Sequence, residues 1–408
     1  MQTSRGALAC VLLSLTGLGL CIYLGYLHIG LLRGELLGGS VCGGVGSLFN
    51  CHAVTGGPLG SAFGLPLWIW GLVGYLATLN LASIAWLFPD WAVRSLTLVT
   101  GLALAFIAVD AALLTAMVTQ IRHLCLFCLL TYAVNLSLLV FGKQGVAQPW
   151  GRLLGQLGQS AGAFLPSRQR PLAWMFWGVM VLGSAGGVGL HVATTFVSLG
   201  SPALIRKQLR DFVAKETRVS ADTTGDPAEG PSSAPLEMVE FSDFFCPVCQ
   251  RAWQFNAIIL ANHRKDIRFV FKHFPLDTSC NEAIGHSLHP GACNVAAASE
   301  CAHLQGKFWP FHDRVFALGH DYNMTHVADD AKALGLDVAR FQACLGSGEG
   351  MEAVRRDIRE GKRLGVMSTP TYVVNGLKLS GVMTPAMVEE LATVLRDTEG
   401  QGVGRSGS

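Results

Sequence analysis

The segment RHLCLFCLLTYAVNLSLLV, residues 122–140, joins a cysteine pair to a long apolar run. Cys125 and Cys128 are three positions apart, so a helix places both on one turn at the front edge of that run. The run is apolar enough to enter a bilayer core, which takes roughly 20 residues of helix to cross. A buried cysteine is usually only a small apolar side chain. Two cysteines at this spacing, where a span begins, therefore require a chemical explanation.

The composition around this segment excludes an ordinary soluble enzyme. The chain has 408 residues, 50% of them hydrophobic and 14% charged, with a mean hydropathy of +0.41. This length allows two or three domains. The net charge of +2 gives no indication of a nucleic-acid partner. Twelve cysteines indicate an oxidising compartment, metal sites or thiol chemistry.

Five apolar segments are long enough to cross a membrane. The first has a short basic start at Arg5, but its apolar run is too long for a signal peptide, and no small-residue cleavage site follows it. We therefore expect it to be retained as a span. The five predicted spans are residues 7–29, 65–88, 95–118, 124–142 and 172–197.

Basic residues near the ends of the spans predict a cytoplasmic N-terminus. The connection 143–171 is basic and contains no Asp or Glu, which favours the inner side. Five spans then place the C-terminal half outside the cytoplasm, together with the 30–64 loop and the leading edge of the fourth span. Ten of the twelve cysteines face the oxidising side in this topology. The other two, Cys10 and Cys21, lie within the first span and are interpreted as apolar filler.

The C-terminal half contains a second cysteine pair in LEMVEFSDFFCPVCQRAWQF, residues 236–255. A β-rich run that leads into CxxC at a helix start is typical of thioredoxin-type redox proteins. The helix N-terminus stabilises a thiolate on the first cysteine. Cys246 is therefore the predicted nucleophile, and Cys249 is predicted to resolve the mixed disulfide.

A second motif far along the chain strengthens this interpretation. Thr369-Pro370 opens a strand, and a turn at Asn375-Gly376 leads into another strand and a closing helix. Residues 235–398 thus resemble a DsbA-like thiol oxidoreductase with a helical insertion. The resemblance implies that Pro370 is a cis-proline beside the CxxC, where it exposes backbone for substrate pairing.

Four further cysteines of this half are predicted to form structural disulfides. Cys280, Cys293, Cys301 and Cys344 permit three pairings, of which we favour 280–293 and 301–344. The alternative for Cys246 and Cys249 is half of a zinc site. A zinc ribbon needs a second CxxC about 15–20 residues away, and the other CxxC lies far upstream in the membrane region.

The membrane half combines a loop pair, Cys42 and Cys51, the run SAFGLPLWIWGLVGY, and the terminal CxxC. With a thioredoxin-like partner on the same side, it resembles the bacterial vitamin K epoxide reductase (VKOR) homologues fused to a thioredoxin-fold domain. The resemblance implies a four-helix bundle around a quinone, ubiquinone or menaquinone. Cys125 and Cys128 are then the active-site pair, Cys51 exchanges with Cys125, and Cys128 lies nearest the quinone ring.

Two polar residues are candidates for contact with the quinone. Ser61 is near the place of the family's active-site serine, and its alternative is a helix cap of the second span. Asp110 lies inside the third span, where a carboxyl is costly and usually faces a bundle interior or a partner. It is either a proton relay to the reduced quinone or a neutral, hydrogen-bonded structural residue.

The predicted fold is an all-α transmembrane bundle, with a four-helix core and a fifth span, followed by an α/β thioredoxin domain. The predicted boundaries are 1–145 for the quinone-binding bundle, 146–171 for a basic cytoplasmic connection, 172–197 for the fifth span, 198–234 for a linker, 235–398 for the DsbA-like domain and 399–408 for a flexible tail.

The predicted function is disulfide generation in exported proteins at the cytoplasmic membrane. Electrons pass from reduced substrate proteins to Cys246/Cys249, then to Cys42/Cys51, then to Cys125/Cys128, and finally to the membrane quinone pool. No metal site and no nucleic-acid partner is expected. One alternative is a thiol reductase or isomerase that exports reducing power, although no cysteine pair is reachable from the cytoplasm. Another is a membrane-anchored metal-binding module. Its candidate ligands are three closely spaced residues, His286, His289 and Cys293.

Overall fold

A computed structural model describes residues 2–38, 42, 47–199 and 202–403. The chain divides into two compact units, Met1–Pro202 and Ala203–Ser408, and each is described by itself.

The first unit is helical and contains, in its described part, five helices long and apolar enough to cross a membrane, as predicted. Short helices α6 and α7 lie in the predicted basic connection, and a two-residue hairpin, β1 (Ser61–Ala62) with β2 (Leu65–Pro66), precedes α3. The helices are α1 (Gln2–Leu32), α2 (Cys51–Thr55), α3 (Leu67–Leu87), α4 (Pro89–Ala116), α5 (Leu126–Val146), α6 (Trp150–Gly155), α7 (Leu157–Ala163) and α8 (Pro171–Leu199).

Helices α1, α3, α4 and α5 form the bundle, and α8 packs against α3. Close approach between helices depends on small residues, as is usual in membranes. Gly17 of α1 lies directly against the ring of Tyr75, and Gly6 faces Gly145 of α5, where a side-chain carbon would be 2.9 Å from the Gly145 Cα. The apolar core between these helices includes Leu96, Val99 and Leu138.

The second unit is built on a five-stranded sheet with the order β3-β5-β4-β6-β7. Strands β4 and β5 are parallel, with helix α10 as the crossover, and the other neighbours are antiparallel. The strands are β3 (Ala228–Glu229), β4 (Leu236–Ser242), β5 (Ile267–His273), β6 (Thr371–Val374) and β7 (Leu377–Ser380). This mixed sheet with helices on its faces confirms the predicted thioredoxin fold.

Helices surround this sheet, and five of them form the predicted insertion between β5 and β6. Apolar residues from α10 and α16 pack on one side of the sheet with Met238 and Tyr372. The helices are α9 (Pro202–Lys215), α10 (Pro247–Asn262), α11 (Ala292–His303), α12 (Phe308–Leu318), α13 (Val327–Ala333), α14 (Val338–Ser347), α15 (Glu349–Arg363) and α16 (Pro385–Val403).

Two disulfides stabilise the helical insertion. Cys280 pairs with Cys293 and Cys301 pairs with Cys344, which confirms the favoured pairing. The first closes a short loop before α11, and the second joins α11 to α14.

The interval predicted as a linker, residues 198–234, is more ordered than its Gly, Pro and Ser content suggests. It contains α9 and β3, and the side chain of Val213 lies in the core of the second unit. The carboxylate of Asp226 is buried against the ammonium group of Lys272 on β5. Because these contacts join residues far apart in the sequence, the local composition does not predict them.

Candidate active site: three cysteine pairs

The soluble CxxC lies where β4 ends and α10 begins. Cys246 caps the helix with extended backbone, φ −75° and ψ 119°, and its N–H donates to the carbonyl of Asp243 at 3.1 Å. Pro247 is the first helical residue, a position that proline tolerates because its missing N–H would have no partner within the helix. Cys246 retains 6% exposure, whereas Cys249 is fully buried.

The environment of this pair separates the two thiols. A hydrogen bond from Cys249 and the backbone N–H groups of Cys249 and Val248 lower the pKa of Cys246 to about 6, although burial opposes them. Burial and the neighbouring Cys246 raise the pKa of Cys249 well above its usual value. These directions support Cys246 as the attacking thiolate and Cys249 as the resolving thiol, which remain predictions.

The Thr369–Pro370 peptide bond is cis, as the resemblance implied. The sulfur of Cys246 lies 3.6 Å from the carbonyl oxygen of Thr369, so the proline loop borders the reactive thiol. Strand β6 begins directly after this loop and pairs antiparallel with β4.

Glu240 is a site residue that the sequence reasoning missed. It lies on β4 and is 2% exposed, and the amide of Asn256 donates to its carboxylate at 2.6 Å. Burial raises the pKa of Glu240 to about 8, and the charge of Cys246 adds to this rise. The negative charge of Glu240 also raises the pKa of Cys249. The signal in the sequence was a charged residue next to the apolar Val239 and Phe241 on the strand that leads into the CxxC.

The membrane CxxC also lies at a helix start. Cys125 caps α5 with extended backbone, and it forms a disulfide with Cys128, one turn further on. The backbone N–H of Cys128 donates to the sulfur of Cys125 at 3.2 Å. Cys125 is fully buried, and Cys128 is partly buried.

The loop pair lies against this helix start. Asn50 donates its N–H to the carbonyl of Leu124 at 2.9 Å, and Leu124 donates to the carbonyl of Leu48 at 2.8 Å. The side chain of Asn50 also caps α2, which begins at Cys51. This short parallel bridge fixes Cys51 beside the residue that precedes Cys125.

The thiols of Cys42 and Cys51 are both fully buried and hydrogen-bond each other. The bond from Cys42, together with the backbone N–H groups of Leu126 and Phe127, lowers the pKa of Cys51 to about 7, against the effect of burial. The same thiol–thiol bond, followed by burial, raises the pKa of Cys42. These directions support Cys51 rather than Cys42 as the thiolate of this pair, and that role stays a prediction.

A cavity of about 340 Å³ lies within the first unit beside Cys128. Among the described residues that line it, Asp110 is the one carboxyl. Asn135 donates to Asp110 at 2.8 Å and accepts from the hydroxyl of Tyr75 at 2.7 Å. The other lining residues are mainly apolar and include Leu24, Trp68, Trp70, Phe106, Leu113, Met117 and Tyr132.

Ser61 is not among the residues that line this cavity. Its side chain is exposed, and its hydroxyl donates to the carbonyl of Pro58 at 3.3 Å. Its neighbours Leu59 and Gly60 reach the cavity instead. The role assigned to Ser61 stays a prediction that this geometry does not support.

Two of the three residues considered for a metal have other partners. Cys293 is in a disulfide, and the ring of His289 bonds to Asp243. Within residues 2–38, 42, 47–199 and 202–403, no group of three His, Cys, Asp or Glu residues is placed to hold a metal ion.

Together the fold and the cysteines define the class, a transmembrane helix bundle and a thioredoxin-fold domain that each carry a CxxC at a helix start. Residues 8–142 match the vitamin K epoxide reductase family, and residues 237–392 match the DSBA-like thioredoxin domain. The chain is a VKOR family domain joined to a DsbA-like thioredoxin domain. This combination supports a thiol–disulfide oxidoreductase.

Curated relatives match about half of the chain. A Na(+)/H(+) antiporter NhaA of Herminiimonas arsenicoxydans is 33% identical over 206 residues, which are 49% of this chain and 31% of the relative. Antiporter NhaA 3 of Salinispora tropica is 30% identical over 221 residues, 51% of this chain and 32% of the relative. The chain thus spans about a third of the length of these relatives. The antiporter names describe those proteins.

Two solved structures of similar proteins each cover less than half of the chain. A thioredoxin-like oxidoreductase from Silicibacter pomeroyi has 23% identity and a TM-score of 0.36, over 43% of this chain and 94% of its own. Oxidised BdbD from Bacillus subtilis has 22% identity and a TM-score of 0.36, over 45% of this chain and 98% of its own.

Proposed function

We propose that this protein generates disulfides in exported proteins and delivers the electrons to a membrane quinone, ubiquinone or menaquinone. Electrons enter from reduced substrate proteins at Cys246/Cys249, move to Cys42/Cys51 and reach Cys125/Cys128. The protein lies in the cytoplasmic membrane with a cytoplasmic N-terminus, and the thioredoxin-fold domain lies on the outer side. The positive-inside pattern of the loops supports this orientation.

One observation carries the proposal. The sulfur of Cys51 is held by the first two backbone N–H groups of the helix that starts at the Cys125–Cys128 disulfide. Helix N-termini stabilise anions because their N–H groups have no partner within the helix. A thiolate is thus stabilised next to the disulfide that it is proposed to attack, and that disulfide borders an apolar cavity.

Each transfer between cysteine pairs is a balanced exchange. The Cys51 thiolate attacks the sulfur of Cys125, the Cys125–Cys128 bond breaks, and Cys128 leaves as a thiolate. Cys42 loses its proton and attacks Cys51, which forms the Cys42–Cys51 disulfide and releases Cys125. The membrane pair gains two electrons, and the loop pair loses two. When a substrate dithiol is oxidised, a substrate thiolate attacks Cys246 of the CPVC disulfide and Cys249 leaves, and the second substrate thiol then attacks the first and releases Cys246. The reduced pair is reoxidised when Cys246 attacks the Cys42–Cys51 disulfide and Cys249 resolves the mixed disulfide.

The cavity beside Cys128 fits a quinone head group. Its volume of about 340 Å³ is within the range of small-molecule sites, roughly 300–1,000 Å³, and its lining is mainly apolar with few polar groups. A bound quinone accepts two electrons and two protons in total. We assign Asp110 as the residue that exchanges a proton with the cavity, because Asn135, which is itself bonded by the Tyr75 hydroxyl, holds its carboxyl in position.

The experiment that tests the proposal measures quinone reduction. Purified full-length protein receives a reduced dithiol peptide and a soluble quinone, and the quinone absorbance is followed. Cys125→Ala and Cys128→Ala should each reduce the rate to the uncatalysed background. Cys21→Ala is the matched control, because Cys21 lines the same cavity but is a free thiol, and it should retain most of the activity.

The outcomes separate the proposal from its alternatives. A Cys125→Ala protein that reduces quinone at the intact rate would contradict the relay. A reductase that exports reducing power would show no dithiol-driven quinone reduction even in the intact protein. A metal-binding module would contain zinc or copper that is lost with the cysteines.

The orientation has its own test. Reporters fused after residues 90, 155 and 398 should be cytoplasmic at the first two positions and outside at the third. A cytoplasmic reporter after residue 398 would exclude the relay, because the CPVC pair would then face the reducing side.

A further inference from the structure

A histidine of the helical insertion is bonded to the turn that holds Cys246. Asp243 starts this turn, and its carboxylate accepts the N–H of Phe245 at 2.8 Å. The other carboxylate oxygen accepts the N–H of Leu276 at 2.7 Å and lies 2.7 Å from Nδ1 of His289. The Asp243 side chain is fully buried, so these bonds are shielded from water. His289 is therefore one hydrogen bond away from the turn that positions the reactive thiol.

The loop that carries His289 is fixed on both sides. The Cys280–Cys293 disulfide closes it, and Asp277 accepts the N–H of Gly291 at 2.8 Å. The backbone N–H of His289 also donates to the carbonyl of Leu276 at 3.0 Å. Ring and backbone are thus both held, and the imidazole keeps its position relative to the turn.

The charges of this arrangement favour a cation beside the thiol. The hydrogen bond to Asp243 raises the pKa of His289, and the charge of Cys246 raises it further, against the effect of burial. Because charge–charge attraction is reciprocal, an imidazolium stabilises the thiolate to the same extent. It also neutralises Asp243, whose buried carboxylate would otherwise repel the thiolate. The residues between the two cysteines, Pro247 and Val248, are uncharged and supply no cation.

We propose that His289, oriented by Asp243, stabilises the Cys246 thiolate and makes the CPVC disulfide a stronger oxidant. A stabilised thiolate favours the reduced form of the pair, which is what increases oxidising power. Asp243 is a positioning residue in this proposal. The proposal rests on the proposed thiol exchange at Cys246, but it requires no quinone.

The test uses the full-length protein and two substitutions that separate charge from hydrogen bonding. His289→Asn places an amide N–H near the former Nδ1 and keeps the bond to Asp243 without a cation, whereas His289→Ala removes both. The first readout is the pH dependence of Cys246 alkylation by iodoacetamide, quantified on the Cys246 peptide by mass spectrometry. The second is the equilibrium of the CPVC pair with glutathione. The matched control is His286→Asn, an exposed histidine of the same loop.

We expect both substitutions at His289 to shift the alkylation midpoint to higher pH. Both should also move the glutathione equilibrium toward the CPVC disulfide by about threefold to tenfold, the size of an interaction between two partly screened charges. A shift in His289→Ala alone, no shift in either variant, or an equal shift in His286→Asn would overturn the proposal. Peptide mapping of the Cys280–Cys293 disulfide and thermal unfolding confirm that each variant is folded. Because both readouts are local to Cys246, they are independent of whether quinone reduction occurs.

Discussion

The two CxxC motifs of this protein lie at helix starts with the same extended cap, but their helices use the N-terminal N–H groups differently. In the soluble domain, the N–H groups of Val248 and Cys249 donate to the sulfur of Cys246, the first cysteine of the same motif. In the membrane domain, the N–H groups of Leu126 and Phe127 donate to the sulfur of Cys51, which comes from a different loop. One motif is therefore a self-contained reactive pair, and the other is a receiving site for a second pair.

The first position of each helix accounts for part of this difference. In the soluble motif this position is Pro247, which has no backbone N–H. It therefore cannot donate a hydrogen bond to the sulfur of another residue. The membrane motif has Leu126 there, and its N–H is directed at Cys51. The residue at the first helical position thus decides whether this position offers an N–H group to a sulfur from another loop.

The largest expected effect breaks the receiving site. Cys51→Ser and Cys42→Ser should each lower dithiol-driven quinone reduction by about three orders of magnitude or more, because the relay loses a member. Only Cys42→Ser should accumulate a Cys51–Cys125 disulfide, since Cys51 can still attack but nothing resolves the product. Mass spectrometry of non-reduced peptides detects it, and Cys10→Ser is the control. A Cys42–Cys125 link in the Cys51→Ser protein would reverse the assigned roles.

The next effect concerns the self-contained pair. Cys249→Ser should convert most of the CPVC domain into a mixed disulfide between Cys246 and an added disulfide-bonded peptide, because Cys246 attacks the peptide disulfide and the resolving thiol is absent. Intact mass under acid quenching measures the adduct. Cys246→Ser should give no adduct, because the pKa of Cys249 lies well above its usual value. Adducts that form only at Cys249 would contradict the comparison.

Leu126→Pro gives the membrane motif the proline of the soluble one. Cys125 already has ψ 113°, which suits a residue before proline, so the helix should form normally. Loss of one N–H donor should raise the pKa of Cys51 above about 7 and slow electron transfer at pH 7 about tenfold.

The pH dependence distinguishes this effect from damage to the fold. The thiolate fraction falls as pH drops below the pKa, so the gap between Leu126→Pro and wild type should close as the pH rises to about 9. Leu126→Ala keeps the N–H and should match the wild type throughout. Single-turnover quinone reduction from pH 6 to 9 measures all three proteins. A tenfold deficit that persists at pH 9 would mean that the proline acts in another way.

The smallest expected effect is that of Glu240→Gln. When a substrate is bound to Cys246 through a disulfide, the thiolate that raised the pKa of Glu240 is gone, and the carboxylate can accept the proton of Cys249. Gln keeps the hydrogen bonding but accepts no proton, so the attack of Cys249 on Cys246, which closes the CPVC disulfide and releases the bound partner as a thiol, should slow about fivefold. Quenched-flow analysis of the mixed disulfide measures this step. Glu237→Gln on the same strand is the control, and an equal effect there would remove Glu240 from the site.

Sequence patterns predicted what depends on local spacing. The five spans, the CPVC helix start and the turn at Asn375-Gly376 follow from hydropathy and motif, and the structure has them. Of the two structural disulfides, 280–293 closes a short loop, whereas 301–344 spans 43 positions and was only the favoured one of three pairings. The cis-proline came instead from the resemblance to a family, since Thr-Pro alone does not specify the isomer.

What the sequence did not predict depends on backbone groups or distant partners. The donors to Cys51 are main-chain N–H groups of Leu126 and Phe127. Because almost every residue type carries such a group, the sequence does not indicate which ones bind Cys51. The pairing of Asp243 with His289 spans 46 positions, and the position of Asp226 depends on Lys272 of another strand. The position of the Ser61 hydroxyl was also not predicted, because the motif match carries no information on the turn at Pro58 to which this hydroxyl is bonded.

The complete burial of Cys42, Cys51 and Cys125 has a consequence for the efficiency of electron flow. Small thiols in solution would have to displace the segment around Cys51 before they reached any of these three sulfurs. Cys128, which is partly buried and borders the cavity, is the more accessible sulfur of its pair. In the proposed relay, leakage of electrons from unrelated thiols at the loop pair would therefore be limited by steric access.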